Sequence, residues 1–231
     1  MEKNLDVVEK IEKATLRFVT QGLFDFRDEA KKIFEMESDL PADIGEDITR
    51  EALDRLGVSK IYKRLYGKID YKQARYVFHP EYTVKQALFV DSKAEKINGV
   101  QTATIQISQT SMIIRQRRGG REVEVSGTLP KFLVIDDGSY LTTTVFVKYH
   151  YRTIQNANRL EKILIVGLPN GLLQEHYNPH PLDTIWRAGR NAPSRGEPFR
   201  VRIHFPSLTT KAPWRVQEIR LYPEESFQWR D

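Results

Sequence analysis

An apolar run, Ala87 to Val90, passes without any turn residue into Asp91, Ser92 and Lys93. Such a run reads as a buried strand, and a buried strand that ends in Asp-Ser-Lys delivers two charged groups to its exposed end. Side chains alternate with period two along a strand, so Asp91 and Lys93 share a face. A second carboxylate, Asp70, lies upstream in KIDYK, Lys68 to Lys72. Two carboxylates brought together repel each other, and a hard divalent cation such as Mg²⁺, which prefers oxygen ligands, offsets that repulsion. Lys93 would then orient or deprotonate an attacking water. The set fits metal-dependent phosphodiester hydrolysis, with the cation and the lysine both placed against developing negative charge. The competing reading is a solvated strand end, because Asp-x-Lys with an acidic residue upstream arises readily by chance.

The texture of the chain changes at Gly57. Before it, Val8, Ile11, Phe18 and Val19, then Ala30, Ile33 and Phe34, then Ile48, Ala52, Leu53 and Leu56 fall near helical spacing. After it the pattern predicts strands over 74–78, 87–92, 122–126, 131–135, 142–151, 162–168, 199–205 and 216–221. Arg115 to Arg121, with Gly119-Gly120 inside it, reads as a hairpin tip. Asn178 to Pro198, rich in proline and glycine, reads as a long ordered connection of the kind that usually carries function. The expectation is a single domain over 1–231, with a helical part at 1–57 and a sheet-containing part at 58–231.

Composition removes several chemistries. The 231 residues contain no cysteine, so disulfide scaffolds, thiolate zinc sites and cysteine nucleophiles are excluded. No apolar stretch approaches the roughly 18 residues of a membrane span, and the early Glu2, Asp6 and Glu9 are unlike a signal peptide, which makes an intracellular protein the default. His176 and His180 have helical metal-pair spacing, but Pro179 and Pro181 argue against a helix there. No nucleophile elbow and no glycine-rich phosphate loop is present.

The formal net charge of +5 is compatible with a polyanionic partner without requiring one. Arg200 and Arg202 alternate in FRVRIHF, so both would face one side while Val201 and Ile203 face the core. Paired arginines suit bidentate contacts to guanine O6 and N7, and an ion pair with Glu218 or Glu197 is the structural alternative. The hairpin arginines, among them Arg117 and Arg118, would contact phosphates or simply face water. Glu46 would add a third carboxylate beside the strands, or else, with Asp47, favour a helix N-terminus through the backbone dipole.

These residues sit in segments that carry a resemblance. EDIT (Glu46 to Thr49), IDYK (Ile69 to Lys72), VDSKAE (Val90 to Glu95), YNPHPLDT (Tyr177 to Thr184), APSRGEPFRVRIHF (Ala192 to Phe205) and APWRVQEI (Ala212 to Ile219) are similar, in the same order, to segments of the SfiI-like type II restriction endonucleases. KATLRFV, EAKKIFE and VFVKYHYR extend the similarity over most of the chain. The resemblance implies a PD-(D/E)XK nuclease fold, α/β in class, with a central mixed sheet flanked by helices. It implies Asp70, Asp91 and the Ser92 backbone carbonyl as Mg²⁺ ligands, Lys93 as the catalytic lysine and Glu46 as an additional acid. It further implies duplex DNA as partner, an interrupted G/C-containing palindrome as target, at least a homodimer with a homotetramer as the larger form, and a prokaryotic cytoplasmic location. Arg200, Arg202, Arg195, Lys96, Asn98, Arg117 and Arg118 are the expected DNA contacts. The sequence departs from the family at Ile97-Asn98-Gly99, where an Asn-Arg pair would stand, so a related but not necessarily identical target is expected. A structure-specific or repair nuclease of the same fold and a non-catalytic DNA-binding protein stay open as alternatives.

Overall fold

The computed structural model describes residues 4–37, 41–61, 74–135, 138–188 and 200–231. Helices α1 (Leu5–Asp25), α2 (Arg27–Met36) and α3 (Pro41–Arg55) come first. Strands β1 (Arg75–His79), β2 (Val84–Lys96), β3 (Thr102–Gln106), β4 (Ile113–Arg118), β5 (Arg121–Ser126), β6 (Phe132–Ile135), β7 (Gly138–Ile154) and β8 (Ala157–Leu168) follow. The chain continues through α4 (Gln174–Tyr177), β9 (Trp186–Arg187), β10 (Arg200–His204), α5 (Phe205–Lys211) and β11 (Val216–Arg220).

The main sheet is six-stranded, in the order β1-β2-β7-β8-β11 with β6 also paired to β7. Its centre is a long parallel ladder, Gln86 against Leu141 through Lys96 against Tyr151, while β8 returns antiparallel to β7. Residues in register lie on the same face, so alternation sorts the central strands into two sets. Leu88, Ser92, Val145, Val147, Tyr149, Ile163 and Ile165 turn to the face covered by α1, α2 and α3, and all are buried. The helical periodicity is answered there by Val8, Ile11, Val19, Ala30, Phe34, Ile48, Ala52 and Leu53, which are buried as well. Asp91, Lys93, Glu95, Phe146, Lys148 and His150 turn to the opposite face. A second sheet, in the order β3-β10-β9, shields that face.

Three outcomes differ from the sequence reading. Strand β2 runs four residues past Ser92, to Lys96, so Asp91 is a mid-strand residue, only 5% exposed, and not the exposed end of a short strand. The small sheet provides the cover that lets the strand continue through its charges. Helix α3 begins at Pro41, which puts Glu46 and Asp47 in the second turn instead of at the N-terminus, and Asp47 pairs there with Arg50 at 2.6 Å. Phe205 opens α5 instead of closing β10, since Pro206 at the first turn fixes a helical φ and needs no hydrogen-bond donor. The hairpin expectation holds, with Gly119 and Gly120 at φ 52° and 80° forming the positive-φ turn between β4 and β5.

One buried ion pair fastens the N-terminal helix to the C-terminal strands. Arg215, with no exposed surface, donates to Glu12 of α1 at 2.6 Å, and Glu12 also accepts from the Asn170 backbone at 2.8 Å. The guanidinium stacks on Trp214 and Tyr177, whose hydroxyl is bonded to Glu9. Replacing one partner leaves the other as an uncompensated buried charge. Arg215→Met is therefore expected to destabilise the protein by about 3 to 5 kcal/mol, and the double variant with Glu12→Gln by much less. Urea unfolding of the two variants measures the difference.

Candidate active site

The charged stretch of β2 is presented by what happens on its other face. Ser92 points at α3, and its hydroxyl donates to Thr49 at 2.7 Å. The Thr49 proton goes to the Gly45 carbonyl at 3.0 Å, so the Tyr149 hydroxyl, 2.7 Å away, is the donor to Thr49. Burial raises the Tyr149 pKa, which keeps that donor protonated. Gly45 permits the close approach, for a Cβ there would lie 3.1 Å from the Tyr149 ring and 3.4 Å from the Ala94 nitrogen. Strand β2 is thus held firmly from the helix side, with Asp91, Lys93 and Glu95 projecting to the other.

On that other face Lys93 donates to the Thr104 carbonyl at 2.7 Å and stands 5.7 Å from the centre of the Phe146 ring. Lys148, its register partner on β7, has no exposed surface. It pairs with Glu95 at 2.8 Å and donates to the Thr102 carbonyl at 3.1 Å. The structure therefore brings together Asp91, Lys93, Glu95 and Lys148, with oxygen donors and ammonium groups interleaved. Glu46 is exposed one residue from Gly45, so α3 carries it to the border of this region. Asp70 lies outside the described residues.

Glu95 and Lys148 were not singled out from the sequence, although a signal exists for both. Glu95 continues the alternation of 91 and 93, and Lys148 interrupts the otherwise apolar and aromatic run VFVKYHY. A lysine inside a central strand is costly to bury unless it is paired.

Farther along the face, His150 is 4% exposed with neither ring nitrogen hydrogen-bonded among the described residues. It lines a cleft of about 540 Å³ together with Lys162, Glu218, Phe205 and Thr209.

The arginine expectations divide. Val201 and Ile203 are buried and Arg202 is half-buried, so β10 alternates as its sequence requires. Glu218 is engaged by Lys162 at 3.0 Å and Arg220 at 3.3 Å and not by Arg202, while Glu197, the other expected partner, lies outside the described residues. The backbone of Arg200 pairs with Gln106, and Arg195 lies outside the described residues. Lys96 and Asn98 are exposed just beyond the charged stretch. Asn98 accepts from the Val100 backbone at 3.0 Å and Gly99 has φ 72°, so the departure at 97–99 builds a tight turn after β2. Arg117 is exposed and Arg118 half-buried on the hairpin. Arg115 is structural, bonded to Glu124, Glu175 and the Pro179 carbonyl.

The family model described as "Type II restriction enzyme SfiI" matches residues 7–219. The type II restriction enzyme SfiI of Streptomyces fimbriatus is 34% identical, covering all of this chain and 91% of that one. The chain belongs to the SfiI family of type II restriction enzymes. Its structure superposes on the tetrameric restriction endonuclease SfiI bound to cognate DNA with a TM-score of 0.85 at 33% identity, covering 98% of this chain and 90% of that one. The restriction endonuclease BglI bound to its DNA recognition sequence shares the fold, with a TM-score of 0.77 at 19% identity over 95% of this chain and 92% of that one. The mixed sheet with its flanking helices is accordingly the restriction-endonuclease fold, and the chain is a site-specific endonuclease. No helix among the described residues is long and apolar enough to cross a membrane.

His150 gives this face a pH signature. Burial first, and then the charges of Lys148 and Lys162, push its pKa down from 6.5 to about 4. The unfolded chain binds more protons than the folded one between those values, so stability falls as pH drops from 6.5 towards 4. The loss should approach about 3 kcal/mol. His150→Gln is expected to flatten that dependence in urea titrations at pH 7, 5.5 and 4.

Proposed function

We propose that this enzyme hydrolyses phosphodiester bonds of double-stranded DNA at an interrupted, G/C-containing palindrome, and that it requires Mg²⁺. The observation that carries the reading is the joint placement of Asp91 and Lys93 on one face of β2, against the small sheet that holds Arg202, in a chain of the SfiI family.

The donor set fits a hard cation. It offers carboxylate oxygens and no thiolate, and Asp91 is shielded from solvent. Asp70, Asp91 and the Ser92 backbone carbonyl would hold the metal, and Glu46 would add negative charge at its border. Bound Mg²⁺ supplies neutralisation of the phosphate oxygens and acidifies water. Lys93 orients the attacking water and offsets charge on the phosphate, leaving a 5′-phosphate and a 3′-hydroxyl. The positively charged surface captures the duplex backbone, with Arg117, Arg118 and Arg195 as phosphate contacts. Arg200 and Arg202 read guanine edges, with Lys96 and Asn98 beside them. A two-fold symmetric target requires one such domain per strand, so the working form is at least a homodimer, and the tetrameric relative makes a homotetramer the next form to test. The whole of 1–231 acts as one restriction-endonuclease domain in a prokaryotic cytoplasm.

Digestion of a sequenced genome with Mg²⁺, followed by sequencing of the ends, should give discrete fragments sharing one interrupted palindrome. Sequence-blind cutting, or none, contradicts the proposal. Asp91→Ala should lose cleavage by at least about 10²-fold while duplex binding is kept or tightened as carboxylate repulsion disappears. Arg202→Ala should lower discrimination at a single base pair by about 1 to 3 kcal/mol. A uniform loss on every sequence would assign Arg202 to phosphate instead.

A further inference from the structure

The two lysines of the charged face act on one strand. Lys93 donates to the Thr104 carbonyl and Lys148 to the Thr102 carbonyl. These carbonyls are two residues apart and so project to the same side of β3. β3 is an outer strand of the small sheet, where Thr104 stands opposite Arg202 and Thr102 opposite His204. The strand that carries Arg202 is therefore tied, through β3, to the strand that carries Asp91. One of the two ties is the lysine assigned above to the attacking water.

Lys148 is the stiffer tie. It is buried without exposed surface and locked by Glu95 at 2.8 Å. A leucine would fill the same volume with no desolvation cost, so packing alone does not account for an ammonium group here. Lys93 is half-buried and donates to the Thr104 carbonyl of β3 at 2.7 Å. An ammonium donating to a carbonyl has fewer donors left for water or phosphate.

We propose that Lys148 is a positioning residue that couples base reading to cleavage: it fixes Thr102 as a pivot, so that seating of β10 on the correct bases moves Thr104 and frees Lys93 for the reaction. The inference rests on the nuclease reading above and on Lys93 as its lysine. A wrong base pair leaves β10 unseated and Lys93 held by Thr104.

The test compares full-length wild type and Lys148→Met on two duplexes, one carrying the site mapped by genome digestion and one with a single base pair of it changed. The kcat/KM ratio between them should fall about tenfold or more in the variant, while the Kd of each duplex measured in Ca²⁺ stays unchanged. An equal loss of cleavage on both duplexes, or an unaltered ratio, overturns the proposal. Hydrogen exchange on the wild type covers the case in which the variant does not fold. The correct duplex should change amide protection in 102–106 and in 91–96 together, and the altered duplex should not. A change in 102–106 alone overturns the coupling. Failure of the wild type to cut any duplex with Mg²⁺ would instead remove the nuclease reading, and the coupling with it.

Discussion

The parallel ladder between β2 and β7 is the constraint on which the other features depend. It fixes Asp91 beside Phe146, Lys93 beside Lys148 and Glu95 beside His150, all facing one way. A shift of one residue in either strand would turn the charged side chains into the helical layer and the apolar ones outward, so the register is strongly specified. Ser92, Thr49 and Tyr149 reinforce it from the helix side with hydroxyl contacts that a slipped strand would not make.

Charges in the middle of a central strand carry a desolvation cost, and the structure shows how it is met. Lys148 is paired with Glu95, and both lysines also satisfy carbonyls on β3. An outer strand normally presents such carbonyls to solvent. The charged face and the small sheet thus complete one another, which explains why catalytic candidates and base-reading candidates occupy two sheets that meet at β3. The Glu12–Arg215 pair is a different case, because it lies among the helices and β11 and serves anchoring.

Much of this was legible in the residues. The helical periodicity before Gly57, the apolar run into Asp91 and the alternation at Arg200 to Phe205 each correspond to an observed element, apart from the turn into α5 at Phe205. What could not be read locally was extent. Strand β2 continues to Lys96 because a distant segment covers its charges, and no window around Asp91 contains that information. Strand β3, with the sequence TATIQ, is too short and mixed to stand out, and its role depends on partners at positions 93, 148 and 202. The second-turn position of Glu46 depends on a start at Pro41 that the Glu46-Asp47 pair disguised. Family resemblance supplied what spacing could not, since Asp-x-Lys by itself does not distinguish a cleavage centre from a strand end.

The most direct measurement of the central claim is the anomalous diffraction of Mn²⁺ in crystals of the protein with a cognate duplex. An ion is expected in contact with the Asp91 carboxylate, on the Lys93 side of β2 and against a backbone phosphate. An ion bound elsewhere, with Asp91 turned away from both metal and DNA, would contradict it.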